Sequence, residues 1–403
     1  MRPSRTDIII AGGGLVGNAL AIGCAQAGLR VVVVDPIPES AQIEPKFDGR
    51  VSAIAIASVR ILSALGVWSR VKEYVEPITD IRVVDGDTPL FLHFDADEIG
   101  DEPFGYMVEN RKLRTALFSA VREEPNITMI AEDSIVDFTS DNHQVHATLK
   151  SGRALKASLL VAADGRLSGL RDIAKLPYRL IEYGQTAMVC TIKHANPHHG
   201  LALERFLPAG PFAILPMRDN HSCVVWTESD AIAPHYMGLS SQEYAEEIEK
   251  RAGEYWGDIA LAGERHSYPL RLMFARKMIA ERFALIGDAA HGIHPIAGQG
   301  VNLGYRDIAV MVEVLKQQHA LGLDIGASSV LEHYARWRRF DSTTMTAMTD
   351  GLDRLFSNAN PALKVARSLG LGAINRVPPL KHFFMRQAMG LVGDIPPMMR
   401  PRA

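Results

Sequence analysis

Cysteine is scarce in this 403-residue chain, and the three present, Cys24, Cys190 and Cys223, lie far apart with no C-x-x-C spacing. That excludes a disulfide frame and a zinc knuckle, and leaves small apolar core groups in a reducing compartment. Neither sign of charge dominates: 43 basic residues against 46 acidic ones give a net charge of −3. Nucleic acid is therefore excluded as the main partner, since phosphate binding needs a surplus of Lys and Arg. Internal repeats and low-complexity runs are lacking as well. So are long unbroken hydrophobic runs. The most apolar segment, residues 7–34, follows Arg2 and Arg5 as a leader or membrane span would, but glycines at 12, 13, 14, 17, 23 and 28 interrupt it. It ends in Val31-Val32-Val33-Val34, a β-branched block that suits a strand, so a cytoplasmic protein is expected.

What is present is an ordinary globular composition, 47% apolar and 22% charged, in a chain long enough for two or three domains. The opening reads as strand (8–11), glycine turn, helix (15–27), Gly28 cap and strand (29–34), a βαβ unit in about the minimum space. A helix is expected around 52–65, a short sheet over 81–94 and a helix over 111–121. Strands follow near 127–138, 145–149 and 157–162. From about 181 to 275 the segments become short, β-rich and punctuated by Pro, Gly and Asn, the pattern of an antiparallel sheet. The first texture returns with a strand at 283–287 and a helix over about 301–318, and helices fill the remainder.

Three motifs carry chemistry. Gly12-x-Gly14-x-x-Gly17 supplies a tight turn, close backbone approach to a pyrophosphate and close helix–strand packing, with free N–H groups at the helix start facing the phosphates. Asp35, at the end of the next strand, is placed to accept from a ribose. Asp164-Gly165-x-x-Ser168-x-x-Arg171 follows an apolar strand; alone it reads as a turn with Ser168 starting a helix and Arg171 on the same side of it. Gly287-Asp288-Ala289-Ala290-His291, then Pro295 and Gly298-Gln299-Gly300-x-Asn302, again delivers an Asp from an apolar strand and opens a helix through a glycine-rich loop. Asp288 suits a polyol hydroxyl, and the helix start suits negative charge on a ring system. His291 and His294 lie three apart but lack a third ligand, so no metal is expected.

Taken in this order and spacing, the motifs resemble the single-component flavin aromatic hydroxylases typified by para-hydroxybenzoate hydroxylase, over residues 5 to 345. The run His294 to Asp307 (HPIAGQGVNLGYRD) is similar to the ubiquinone-biosynthesis hydroxylases in particular. So are Asp48-Gly49-Arg50, Glu109-Asn110-Arg111-x-x-Arg114 and Gly210 to Pro216 (GPFAILP). The fold this implies is α/β: a Rossmann-like FAD-binding domain (1–75, 101–180 and 276–345), a β-sheet substrate domain (76–100 and 181–275) and C-terminal helices (346–403).

By the same resemblance, Gly12, Gly14 and Gly17 hold the FAD pyrophosphate and Asp35 the adenosine ribose, where the family more often has Glu. Arg111 reaches the pyrophosphate, a charge-assisted contact, Asp288 binds the ribitol, and Asp164 joins the cofactor set. Pro295, Gly298, Gln299 and Gly300 form the catalytic loop against the isoalloxazine, with backbone N–H groups through Val301 and Asn302. Arg50 takes a flavin or substrate contact, with a surface arginine as the plain alternative. NAD(P)H or another donor reduces the flavin, oxygen adds as a C4a-hydroperoxide, and one oxygen passes to the ring of a polyprenylated phenol. The cofactor does the hard chemistry, so no catalytic triad or carboxylate pair is expected.

Residues 364–402 hold five arginines and two lysines against one acid, Asp394, interleaved with Phe383, Phe384, Met385, Met389 and Leu391. Two readings stand: a basic apolar helix peripheral on the inner face of an anionic membrane, or a terminal helix packed on the core. Against the leading function stand a hydroxylase of a soluble aromatic, a flavin reductase of prenyl chains, and a weakly catalytic FAD-bound scaffold in a biosynthetic complex.

Overall fold

The computed structural model describes residues 6–44, 49–86, 88, 91–292, 300–339 and 374–401. Its first layer is a six-stranded sheet in the order Ile279–Ala280, Phe283–Leu285, Leu159–Ala162, Ile8–Ala11, Val31–Asp35, Ile127–Ala131. All neighbours are parallel except the first pair. Ile8–Ala11, Val31–Asp35 and Leu159–Ala162 are buried at every residue. This is why they read as continuous apolar runs rather than alternating ones: helices and loops cover both faces of a parallel sheet. The helices Leu15–Gln26, Asn110–Glu123 and Gly300–Ala320 pack around the unit, Leu15–Gln26 touching both of the others.

The second layer is a nine-stranded, largely antiparallel sheet. Its path runs His291–Gly292, His266–Ala275, Tyr178–His194, His221–Ser229, Gly210–Met217, Leu201–Leu207, Asp80–Asp85, Phe91–Asp95, with Ile259–Leu261 attached to Tyr178–His194. One face joins the main core and the other a second core around Trp226, Trp256, Tyr244 and Phe212. Tyr178–His194 is a single strand running through residues 180 and 181, where a domain boundary was expected. Glu76–Ile78 pairs with Gly105–Glu109 in a small three-stranded sheet with Val51–Ala55, not with the large one.

Three local expectations need correction. Residues 52–65 are not one helix: Val51–Ala55 is a strand paired with Gly105–Glu109, and the helix is Ile56–Ala64. Cross-strand pairing overrides a pattern that suits either state. The stretch 127–138 divides at Glu132, whose φ is 58°. Ile127–Ala131 enters the parallel sheet and Ile135–Ser140 a separate three-stranded one. The strand at 157–162 likewise divides at Ser158, whose N–H donates to the Asp7 carbonyl at 3.0 Å.

Candidate active site

Three neighbouring parallel strands end side by side and hand the chain into the three motifs. Ile8–Ala11 leads into Gly12, Leu159–Ala162 into Asp164, and Phe283–Leu285 into Gly287. Backbone bonds extend the ladder past the strand ends: Ala163 donates to Ala11 at 2.7 Å and Ile286 to Ala162 at 3.0 Å. Motifs separated by more than a hundred residues thus share one sheet end, the place where open α/β sheets bind ligands.

At the first motif, Gly12 has φ +100°, and a Cβ there would stand 2.4 Å from the Ala163 carbonyl oxygen. At Gly17 a Cβ would fall 1.8 Å from the Gly12 oxygen, whereas one at Gly14 would meet nothing within 4 Å. Two of the glycines are therefore required by packing, and the third leaves open space where a ligand can approach. The helix starting at Leu15 has no side-chain cap and no acid in its first turn, so its end is electrostatically free for an anion. Asp35 is nearly buried; it accepts from Gly13 N–H at 2.5 Å and Ile37 N–H at 2.7 Å, and each oxygen keeps a further lone pair. Asn18, which the sequence reading passed over, donates to the Gly13 carbonyl at 2.6 Å and fixes the same turn.

The second and third motifs are tied together by arginines. Ser168 caps its helix by accepting from Arg171 N–H at 3.1 Å. The buried Arg171 guanidinium donates to the Ala289 carbonyl at 3.2 Å and lies 4.1 Å from the Tyr178 ring centroid. Arg166 stands 3.7 Å from Asp288, whose side chain keeps 43% of its surface open. Asp164 keeps solvent access at its residue while protein crowds most of its carboxyl, and this burial raises its pKa. Arg50 is exposed, 5.8 Å from the Tyr268 ring, and its carbonyl accepts from Asn110 N–H at 2.9 Å. Arg111, one residue on, forms an ion pair with Glu109 at the start of its helix.

Gly300 opens the helix Gly300–Ala320, and no acid lies in the first turn. The Asn302 side chain grips the strand Val51–Ala55, donating to Ala53 O at 2.8 Å and accepting from Ala55 N–H at 2.9 Å. These two bonds fix the side chain against the strand. Val301 is half-buried beside it. Pro295, Gly298, Gln299, His294 and Asp48 lie outside the described residues.

A network missed at the sequence level sits behind this helix start. Asp307, wholly buried, receives Arg338 Nε at 2.6 Å and Gly287 N–H at 2.8 Å, and lies 2.7 Å from His291 Nε2. Burial would raise its pKa, but the adjoining His291 and Arg338 outweigh that and hold it below the ordinary carboxylate range. His291 precedes the 293–299 segment and Asp307 follows it, so one carboxylate braces both flanks. Its position two turns after Gly300 was the available signal.

Residues 5–346 match the family model described as the FAD binding domain. The chain belongs to that FAD-binding family. It is 46% identical over 395 residues to the ubiquinone hydroxylase UbiL of Rhodospirillum rubrum, covering 98% of this chain and 92% of that protein. It is 35% identical to the 3-demethoxyubiquinol 3-hydroxylase of Escherichia coli, covering 97% and 100%. The p-nitrophenol 4-monooxygenase PnpA of Pseudomonas putida shares the fold, with a TM-score of 0.77 at 18% identity over 96% of this chain and 98% of that one. The geometry suits FAD: open space at Gly14, an uncapped helix end and a part-exposed Asp288 stand at one sheet end.

Proposed function

We propose that the protein is an FAD-dependent monooxygenase hydroxylating the aromatic ring of a polyprenylated phenol in ubiquinone biosynthesis, with NAD(P)H or another donor as reductant. The observation that carries this reading is the meeting of three remote motifs at one sheet end, in a chain whose relatives are named ubiquinone hydroxylases. In this reading Gly12, Gly14 and Gly17 let backbone amides hold the pyrophosphate, Arg111 approaches it, and Asp35 accepts from the adenosine ribose through its remaining lone pairs. Asp164 and Asp288 hold the cofactor further along, Asp288 at the ribitol. Gly300, Val301 and Asn302 present backbone N–H groups at a helix start that favours negative charge on the ring. Arg50 borders the flavin or the substrate, and Pro295, Gly298 and Gln299 complete the loop. Bound and reduced, FAD supplies oxygen activation and delivery of one oxygen atom to an electron-rich ring. The inner face of the large sheet excludes water from the reacting centre. The test is to express the gene in bacterial strains each lacking one ring hydroxylase. Restored quinone in one strain is expected; restoration in none overturns the pathway assignment.

We also propose peripheral contact with an anionic membrane through the helix Pro378–Ala388. No helix among the described residues is long and apolar enough to cross a membrane. Val377, Leu380 and Phe383 are 47%, 42% and 45% exposed, and Arg376 and Arg386 beside them face solvent. That is the composition of a surface-lying helix. Lys381 takes no part, being buried in an ion pair with Glu98 at 2.5 Å. Sedimentation with phosphatidylglycerol vesicles should fall several-fold in Phe383→Glu and at raised salt; unchanged binding in that variant rules the surface out.

A further inference from the structure

The large sheet holds a buried carboxyl that the foregoing leaves unused. Along Leu201–Leu207 the side chains alternate, Leu203 and Leu207 joining the second core while Ala202 and Phe206 join the main one. Glu204 therefore faces the main core, paired laterally with Ala213 and Val83. That face is the one turned toward the cofactor half. The strand Gly210–Met217 packs against Glu76–Ile78 and Gly105–Glu109. Gly105–Glu109 pairs with Val51–Ala55, the strand that Asn302 grips at the start of the flavin-side helix.

Glu204 is only 8% exposed, and its buried Oε1 atom has no hydrogen-bond partner among the described residues. Burial pushes its pKa up to about 7, with no opposing charge among the described residues. A carboxyl in this state has a donor and an acceptor to offer and no described residue that takes either. As a purely structural group it is a liability, since an apolar residue of similar size would avoid the desolvation cost. On the same face its neighbours along the strand are Ala202 and Phe206 and its lateral neighbours Ala213 and Val83, so small side chains flank the carboxyl on two of its four sides.

We propose that Glu204 recognises the ring hydroxyl of the phenolic substrate by a direct hydrogen bond. The missing partner is then the ligand itself, and the unsatisfied group serves specificity: a site built to pair a hydroxyl discriminates strongly against the analogue lacking it. This assignment rests on the hydroxylase reading, and the experiment separates the two.

The FAD-loaded, oxidised protein is titrated with 2-geranylphenol and with geranylbenzene, which lacks the hydroxyl, following perturbation of flavin absorbance. Wild type should prefer the phenol about 10-fold or more, the equivalent of one good hydrogen bond. Glu204→Gln should keep most of that preference, whereas Glu204→Leu should bind both ligands alike with a melting temperature no lower than wild type. Glu204→Met, unbranched and closer in shape, gives the same readout if the leucine is not accommodated. A wild-type preference retained in the apolar variants overturns the assignment. A wild-type protein that yields no response to either ligand overturns the phenol reading itself, and this assignment with it.

Discussion

The parallel sheet and the large antiparallel sheet solve different problems with different parts of the chain. At the end of the parallel sheet the groups proposed to meet the ligand are mainly backbone: amides at a helix start, a turn at φ +100°, and a contact too close for any side chain at Gly17. Such demands can be met by few residue types at fixed spacing. In the large sheet the informative groups are individual side chains on a two-sided surface. Both of its faces are covered, so Gly210–Met217 is buried at seven consecutive positions and the usual alternation of apolar and polar residues is lost. A backbone-built site announces itself by glycine; a side-chain site in a doubly covered sheet does not.

The sharpest way to break this contrast is at Gly17. A methyl there would sit 1.8 Å from the Gly12 carbonyl oxygen, a clash that only backbone movement relieves. Gly17→Ala is expected to abolish FAD retention, read as the flavin-to-protein absorbance ratio after purification, with loss of soluble protein as the extreme outcome. Gly14→Ala, where the new atom meets nothing within 4 Å, should fold with an unchanged apo-protein melting temperature. Wild-type flavin content in Gly17→Ala would show that close packing is not what this glycine supplies.

The next effect in size concerns Asp307, the buried carboxylate bonded to Gly287 and Arg338. Removing one member of a buried charge network typically costs about 3–5 kcal/mol, so Asp307→Ala should lose stability on that scale in urea unfolding. The sign with pH follows from the direction of its shift. A carboxylate whose folded pKa lies below its unfolded one stabilises the protein above the unfolded value, and loses that contribution as pH falls through the folded one. Asp307→Asn should therefore flatten the acid side of the stability profile while leaving the neutral side parallel to wild type. An acid limb identical in the two proteins would mean that His291 and Arg338 do not hold the carboxylate ionised.

These residues also mark where the sequence was legible. The βαβ opening, the three motifs and the β-rich middle were readable because each has a local cause: glycine spacing, a strand ending in an acid, short runs between turn residues. Asp35 was readable as an acceptor, but its commitment to Gly13 N–H depends on a turn 22 residues away. Asp307 lay in plain view within a matched run, yet its partners come from two other places in the chain, Gly287 and His291 from one and Arg338 from another. Ser52–Ala55 read as the start of a helix because the strand it pairs with, Gly105–Glu109, is remote, and pairing energy is not written into the segment itself. The substrate-side role proposed for Glu204 depends on which face of which sheet it occupies, and that is not written into Glu204-Arg205-Phe206 itself.

The smallest predicted effect tests the comparison from the other side, with a local signal in the large-sheet half. Ser240 and Glu243 form a reciprocal cap at the start of Ser241–Ala252, Ser240 N–H donating to Glu243 Oε2 at 2.9 Å and Glu243 N–H to Ser240 Oγ at 3.3 Å. The helix buries Tyr244 and Ile248 in the second core, away from the motif-bearing sheet end. Ser240→Ala should cost about 1 kcal/mol in unfolding free energy. Flavin content and the phenol preference of the bound state should not move. If they do, the second core communicates with the cofactor edge, and the two regions cannot be treated as separable layers with separate tasks.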